Sequence, residues 1–220
     1  LLYTIEGTGP DGLGALRSST GSLDLDTAQM AGIILTGDAT HYCPSGHFGI
    51  INSGYASTTL ELNGHTLTVD LKNGYGFWLA NVQGTSAGTV YVKSGVPYPY
   101  KTKSNIKNVD FILDGANRVF RMVSSAPDIQ MGNVVLKNGA SYEEAVDRSY
   151  MKSLTVGDGC TVPSSGIAWF RVSDRVVVSN ETSDITIYPP VTGWNTYPKL
   201  FKYGAGTLTL ANNYTDQRFD

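Results

Sequence analysis

The chain has 220 residues, of which 41% are hydrophobic and only 16% charged, with a formal net charge of -3. That charge gives no electrostatic footprint for a nucleic-acid partner, and no apolar run approaches the roughly 18 residues of a membrane span. Gly, Ser, Thr and Asn carry the polar load, which excludes coiled coil and disorder and suits a β-rich chain with many turns.

In chain order, the first strand is "LLYTI", already under way at Leu1 without a Met. No charged-then-apolar signal peptide is visible, so we read the chain as a mature form or a piece of a longer protein. "GTGPDG" (Gly7–Gly12) satisfies G-x-G-x-x-G, but "LGALRSSTGS" follows in place of an amphipathic helix. A glycine-rich turn, not a dinucleotide site, is expected there. "IILTGD" from Ile33 is the next strand. "HYCPSGHFG" holds His41, Cys43 and His47, three side chains able to ligate zinc around a Pro-Ser-Gly turn. The spacing is neither C-x-x-C nor H-x-x-x-H, and the plainer expectation is a surface loop with two solvated histidines and a small buried cysteine.

"LELNG" from Leu60 closes another strand, and "GYGFW" presents Tyr75 and Trp78. "GTSAG" around Ser86 has the outline of a nucleophile elbow, but a strand follows it and every His precedes it, so a small-residue turn is expected. The strand "VYVKSG" leads into "GVPYPYKTK", a proline-stiffened stretch with Tyr98 and Tyr100. "FILDG" from Phe111 and "VVLKNG" from Val134 repeat the strand-and-turn pattern. "SYEEAVDRSYMKSL" (Ser141–Leu154) is the best helix candidate, with Ser141 as cap and Glu143 and Glu144 in a first turn. "LTVGDG", "VVVSN", the loop "PPVTGWNTYPK" with Trp194 and Tyr197, and "LTLANN" complete the chain.

The strands that close on a turn start at Val90, Phe111, Val134, Leu154 and Val176, at nearly equal steps. A period of roughly 20 residues built from short strands is a solenoid signature, because one coil cannot bury its apolar residues alone. Leu60, Leu62, Phe111, Leu113, Val134, Leu136, Leu154, Val156, Leu208 and Leu210 are then expected to point inward. A β-sandwich or jelly roll, with turns at about half that spacing, is the competing architecture. Cys43 and Cys160 lie about five coils apart, which at ~4.8 Å per coil exceeds the span of a disulfide.

"KYGAGTLTLANNYT" resembles the repeat of the autotransporter-associated β-strand family. Lys202, Gly204, Gly206, Thr207, Leu208, Thr209, Leu210, Tyr214 and Thr215 carry the match. "IEGTGPDGLGALR" with "LTGDAT" looks like segments that flank such repeats. The two stretches together are about 35 residues, with Asp216 where Gly is common. The resemblance implies a right-handed parallel β-helix with coils of about 20–25 residues. It implies one domain spanning Leu1 to Asp220, exported by a bacterium to the medium or cell surface.

Three functions follow. The first is a passenger or adhesin-like segment without catalysis or cofactor, whose Tyr98, Tyr100, Trp194 and Tyr197 stack on a glycan or another cell-surface ligand. The second is a carbohydrate-active β-helix enzyme, a polysaccharide lyase or glycoside hydrolase. It requires carboxylates gathered on one face, for which Asp24 with Asp26, Asp110 with Asp114, and Glu143, Glu144 and Asp147 are the local groups. The third is a spacer with no ligand. Open strand edges at the two ends also predict continuation into further coils or end-to-end self-association.

Overall fold

In the computed structural model the described residues are 1–17, 30–44, 47–50, 56–71, 76–99, 103–116, 118–122, 128–144, 149–163, 170–188, 191–192 and 197–211. Among them there is no helix. The chain winds as a parallel β-helix. Taken coil by coil, the strands are β1 (Leu2–Gly7) and β2 (Leu16–Arg17), then β3 (Gly32–Cys43) and β4 (Phe48–Ile50). Next come β5 (Thr58–Glu61), β6 (Thr66–Leu71) and β7 (Gly76–Leu79), then β8 (Val82–Gln83), β9 (Gly88–Ser94) and β10 (Val96–Pro99). After β11 (Ser104–Ile106), β12 (Val109–Asp114) and β13 (Val119–Met122) the chain makes β14 (Ile129–Lys137), β15 (Ser141–Glu144) and β16 (Ser149–Gly157). It ends through β17 (Phe170–Ser179), β18 (Ile185–Ile187), β19 (Val191–Thr192), β20 (Lys199–Tyr203) and β21 (Leu208–Leu210).

Every pairing among the described residues is parallel, so each coil lies on the one before it. Thr59, Gln83, Asn105, Gln130, Tyr150, Arg171 and Thr192 are successive register partners, each one coil after the last. The long strands β3, β14 and β16 each run along two faces of the helix. In the coils between, the same path is broken into two strands by a corner. β4, β7 and β10 form the third face, which β13, β15, β18 and β21 continue.

Period-2 alternation decides which side chains enter the interior. Leu67, Val90, Phe111, Val134, Leu154 and Val176 stack in register, and all are fully buried. Rings repeat the alignment: Phe48 lies on Phe77 at 5.4 Å and Phe120 on Tyr142 at 5.0 Å, both nearly parallel. Full burial of each such side chain contributes about 1.5–3 kcal/mol. Of the ten expected inward positions, the eight from Leu60 to Val156 are buried. Leu208 and Leu210 on the last coil are half-buried.

The expected helix at Ser141–Leu154 is instead β15 and β16. Tyr142, Ser149, Met151 and Leu154 are buried, so the segment follows the strand period in partnership with β13, β14 and β17. Residues 145–148 lie outside the described residues. Tertiary pairing overrides a local helix signal that was only a cap and two acidic residues.

Corners are made by a few repeated devices. Asn63-Gly64 and Asn138-Gly139 both take positive φ at both residues, 52° and 85°, and 51° and 86°. This is the primed turn that Asn-Gly favours, closed by His65 N–H to Leu62 O and by Ala140 N–H to Lys137 O. Cys43 and Cys160 are both buried and do not form a disulfide. Gly12 N–H donates to Gly9 O, so "GTGPDG" is a turn leading to β2.

Candidate functional site

Carboxylates come first, because a catalytic reading needs them together. The structure spreads them along the corners, each holding the next coil. Asp38 accepts from Thr66 N–H at 2.8 Å, and Glu61 from Thr85 N–H at 3.0 Å and Ser86 N–H at 2.8 Å. Asp110 accepts from Asn133 N–H at 2.7 Å and Asp114 from Asn138 Nδ2 at 2.7 Å. Asp158 accepts from Thr182 N–H at 3.0 Å, and Asp184 from Thr207 N–H at 2.7 Å. Partial burial pushes the Glu61 carboxyl up, but the hydrogen bonds from Ser86 and Thr85 outweigh it and hold it below its usual range. The Thr182 amide does the same for Asp158, and the Thr207 amide for Asp184. Carboxylates held ionised by donors from the next coil act as corner clasps. Asp24, Asp26 and Asp147 lie outside the described residues, as does the side chain of Glu144.

Ser86 belongs to one of these clasps. Its hydroxyl accepts from Asn63 N–H at 3.0 Å, and no His stands beside it among the bonds described.

The zinc candidates are pulled apart by strand alternation. His41 and Cys43, two apart on β3, both point inward and are buried. His41 stacks on Phe48 at 3.6 Å, and neither ring nitrogen has a hydrogen-bond partner. Burial lowers its pKa to about 3, so the ring is neutral. This corrects the expectation of two solvated histidines. The His falls in the inward column of Val69, Val92 and Leu113, where the interior is apolar. His47 lies on the third face, and its Nδ1 accepts from Gly76 N–H at 2.8 Å. Among the described residues no three His, Cys, Asp or Glu side chains converge to hold a metal.

The aromatic candidates fare unevenly. Tyr100 and Trp194, with Tyr75, lie outside the described residues. Tyr197 is exposed beside β20, and Tyr98 is half-buried on β10. The axis carries five coil steps between those two, about 24 Å at ~4.8 Å each. Tyr98 instead meets Trp78, its register partner on β7, with ring centroids 4.1 Å apart.

The strip around Trp78 follows from β7 upward. Phe77 and Leu79 are inward and buried, which turns Trp78 out. The residue in register with it on β4 is Gly49, which has no side chain to lift the indole. Gly76, two residues back on the same face, also lies beneath the ring. A Cβ there would come within 3.0 Å of Trp78 Nε1 and 3.2 Å of His47 Nδ1. The indole therefore lies along the sheet, with His47 against it edge-on at 5.4 Å and Tyr98 on its other side. Because the Gly76 amide occupies Nδ1, neutral His47 carries its proton on Nε2. Partial burial lowers the pKa of His47 and favours that neutral form.

Beyond Tyr98 the strip becomes charged. Arg121 on β13 donates to Glu143 on β15 at 2.6 Å, and that hydrogen bond holds the guanidinium firmly protonated. Tyr98 is close enough to add a smaller electrostatic contribution of the same sign. The sequence order His47, Trp78, Tyr98, Arg121, Glu143 is thus also an order along the axis, one side chain per coil. Sequence reasoning named Trp78 and Tyr98 but not their contact, and it expected His47 on a solvated loop rather than against Trp78. The missing signal is that Tyr98 follows Trp78 by one coil period.

Neither a family model, nor a curated protein, nor a solved structure matches the chain. The fold and the site therefore carry the functional reading alone, with the motif resemblance beside them.

Proposed function

We propose that this chain is a β-helical, passenger- or adhesin-like segment of an exported bacterial surface protein that binds a glycan without cleaving it. The observation that carries this is the strip of Trp78 against Tyr98, both partly exposed on a parallel sheet and followed by the Arg121–Glu143 pair. Two adjoining rings on a preformed surface offer apolar faces to sugar rings at little cost in entropy, and the ion pair offers donors and acceptors to hydroxyls. The corner role of Asp110, Asp114, Asp158 and Asp184 supports a non-catalytic reading, because each already has a partner in the next coil. Export rests on the "KYGAGTLTLANNYT" resemblance. End-to-end association with a second copy belongs to the same proposal, since among the described residues β1 pairs only with β3 and β20 only with β17. Sedimentation at rising concentration tests that part.

The test of the binding is a glycan array probed with the purified chain, with product analysis on the same polysaccharides. The expected result is binding without cleavage, reduced roughly tenfold or more by Trp78→Ala or Tyr98→Ala in protein that keeps its strand circular dichroism. Cleavage products would overturn the non-catalytic reading. Binding indifferent to both substitutions would overturn the strip.

A further inference from the structure

A second feature lies on a different sheet from the aromatic strip. At the corner between β11 and β12 and the matching points of β14, β16 and β17 there is a cleft of about 250 Å³. Its origin is readable in the register. Ile106, Met131 and Met151 stack inward as partners on successive coils. The residues that follow them are Lys107, Gly132 and Lys152. Two lysines thus stand two coils apart, about 10 Å along the axis, with a glycine on the coil between. Gly132 places no side chain between the two lysines, and the space where its Cβ would stand is filled by Asp110 and Val109 of the preceding coil.

Gly132 is also hard to replace. A Cβ there would lie 2.3 Å from Asp110 Oδ1 and 2.9 Å from Val109 O. Gly132 is therefore packed against the Asp110–Asn133 clasp, and the cleft lies beside that packed backbone.

The cleft walls suit an anion on a carbon skeleton. Met131 and Met151, buried in the core, lie beneath the cleft, and Gln130, Asn108 and Ser173 line it. Tyr150 forms one side. Arg171, one coil on, donates to the Tyr150 hydroxyl at 3.0 Å, with its guanidinium carbon 4.9 Å from the ring centre. That contact fixes the ring and adds positive charge behind it.

The acidic groups nearby are already engaged. Both Asp110 oxygens accept from Asn133 Nδ2 at 2.9 Å. Asp174 pairs with Arg175 at 3.0 Å, and Asp128 with Lys103 at 3.3 Å. Lys107 and Lys152 are exposed and have no ion-pair partner among the described residues. On a chain of net charge -3 this is a local concentration of positive charge lined by no carboxylate.

We propose that this cleft is a binding site for the carboxylate or sulfate groups of an acidic polysaccharide. Lys107 and Lys152 contact the anions, and Tyr150 packs against the sugar ring. A polysaccharide fits better than a small anion, because the two cations stand two coils, about 10 Å, apart and so serve two charged groups of one extended chain. Its ligand chemistry and its residues differ from those of the aromatic strip, so either site can fail alone.

The experiment is affinity measurement on the full chain with polygalacturonate, with dextran sulfate, with neutral dextran and with a single-stranded oligonucleotide. The expected result is binding to one or both acidic polysaccharides and not to dextran. Lys107→Gln with Lys152→Gln should weaken it roughly tenfold or more, in line with loss of charge-assisted hydrogen bonds. Lys107→Arg with Lys152→Arg should keep it. The polygalacturonate and dextran sulfate arms separate carboxylate from sulfate recognition. No binding to either polyanion by folded protein would overturn the proposal, as would binding that the glutamine pair does not alter. Oligonucleotide binding of equal strength, lost with the same pair, would overturn the polysaccharide assignment.

Discussion

Leu136 and Leu210 occupy the same kind of place in the same kind of sequence, an alternating apolar strand that closes on an Asn-rich turn. Leu136 is fully buried between Leu113 below and Val156 above. Leu210, whose register partner among the described residues is Ile187, is half-buried. The difference lies in the neighbours, not in the pattern. In a solenoid each coil is buried by the coils on both sides, so a coil with one described neighbour keeps an open face. Phe201 and Tyr203 on β20 show the outward counterpart, with 37% and 55% exposure.

The largest expected effect concerns the one histidine in the inward column. Folded His41 has a pKa of about 3 against 6.5 for the free side chain, so the unfolded chain binds the extra proton between those values. The stability of neutral, buried His41 is full above pH 6.5 and is lost as pH falls towards 3, by up to about 5 kcal/mol. Denaturant titrations across that window should show a steep loss in the parent and a flatter profile in His41→Leu. An unchanged profile would mean that the coil there opens as freely as the end does.

Next comes Leu136→Ala, expected to cost about 3 kcal/mol by urea unfolding, in the range of cavity-forming substitutions. A cost below about 1 kcal/mol would break the contrast between middle and end. Asn180→Ala is expected to cost about 2 kcal/mol. Asn180 is fully buried, and its Nδ2 donates to Ser183 O at 2.6 Å and to Thr207 O at 3.0 Å, tying the last coil down. Hydrogen exchange should then rise in β21 before it rises in β14. Leu210→Ala is the smallest, about 1 kcal/mol or less, and a larger value would show that the open face is covered in solution.

The aromatic strip and the basic cleft offer the same lesson about function. Trp78 and Tyr98 were visible as aromatic residues in the sequence, and their spacing was the coil period. Yet the period had been read from turn-closing strands that start at Val90, and these two rings sit on the third face. Lys107 and Lys152 showed no local motif at all. They become a pair only because Ile106, Met131 and Met151 share one column, which depends on the register. The helix expected at Ser141–Leu154 failed for a related reason. Glu143 and Glu144 satisfied a helix start locally, while Tyr142 and Met151 had interior places waiting on neighbouring coils.

What the sequence determined by itself was the winding. Alternating apolar residues, Asn-Gly turns and their regular recurrence require a strand path that repeats and a core that forms only by stacking, because those are local preferences written in each coil. What the tertiary structure alone decided was which side chains meet. A contact in this fold joins residues a full coil apart in the chain, and a shift of one position in register turns every side chain to the opposite face. His41 went inside, His47 went to the aromatic strip, and the two lysines came to flank a glycine for that reason.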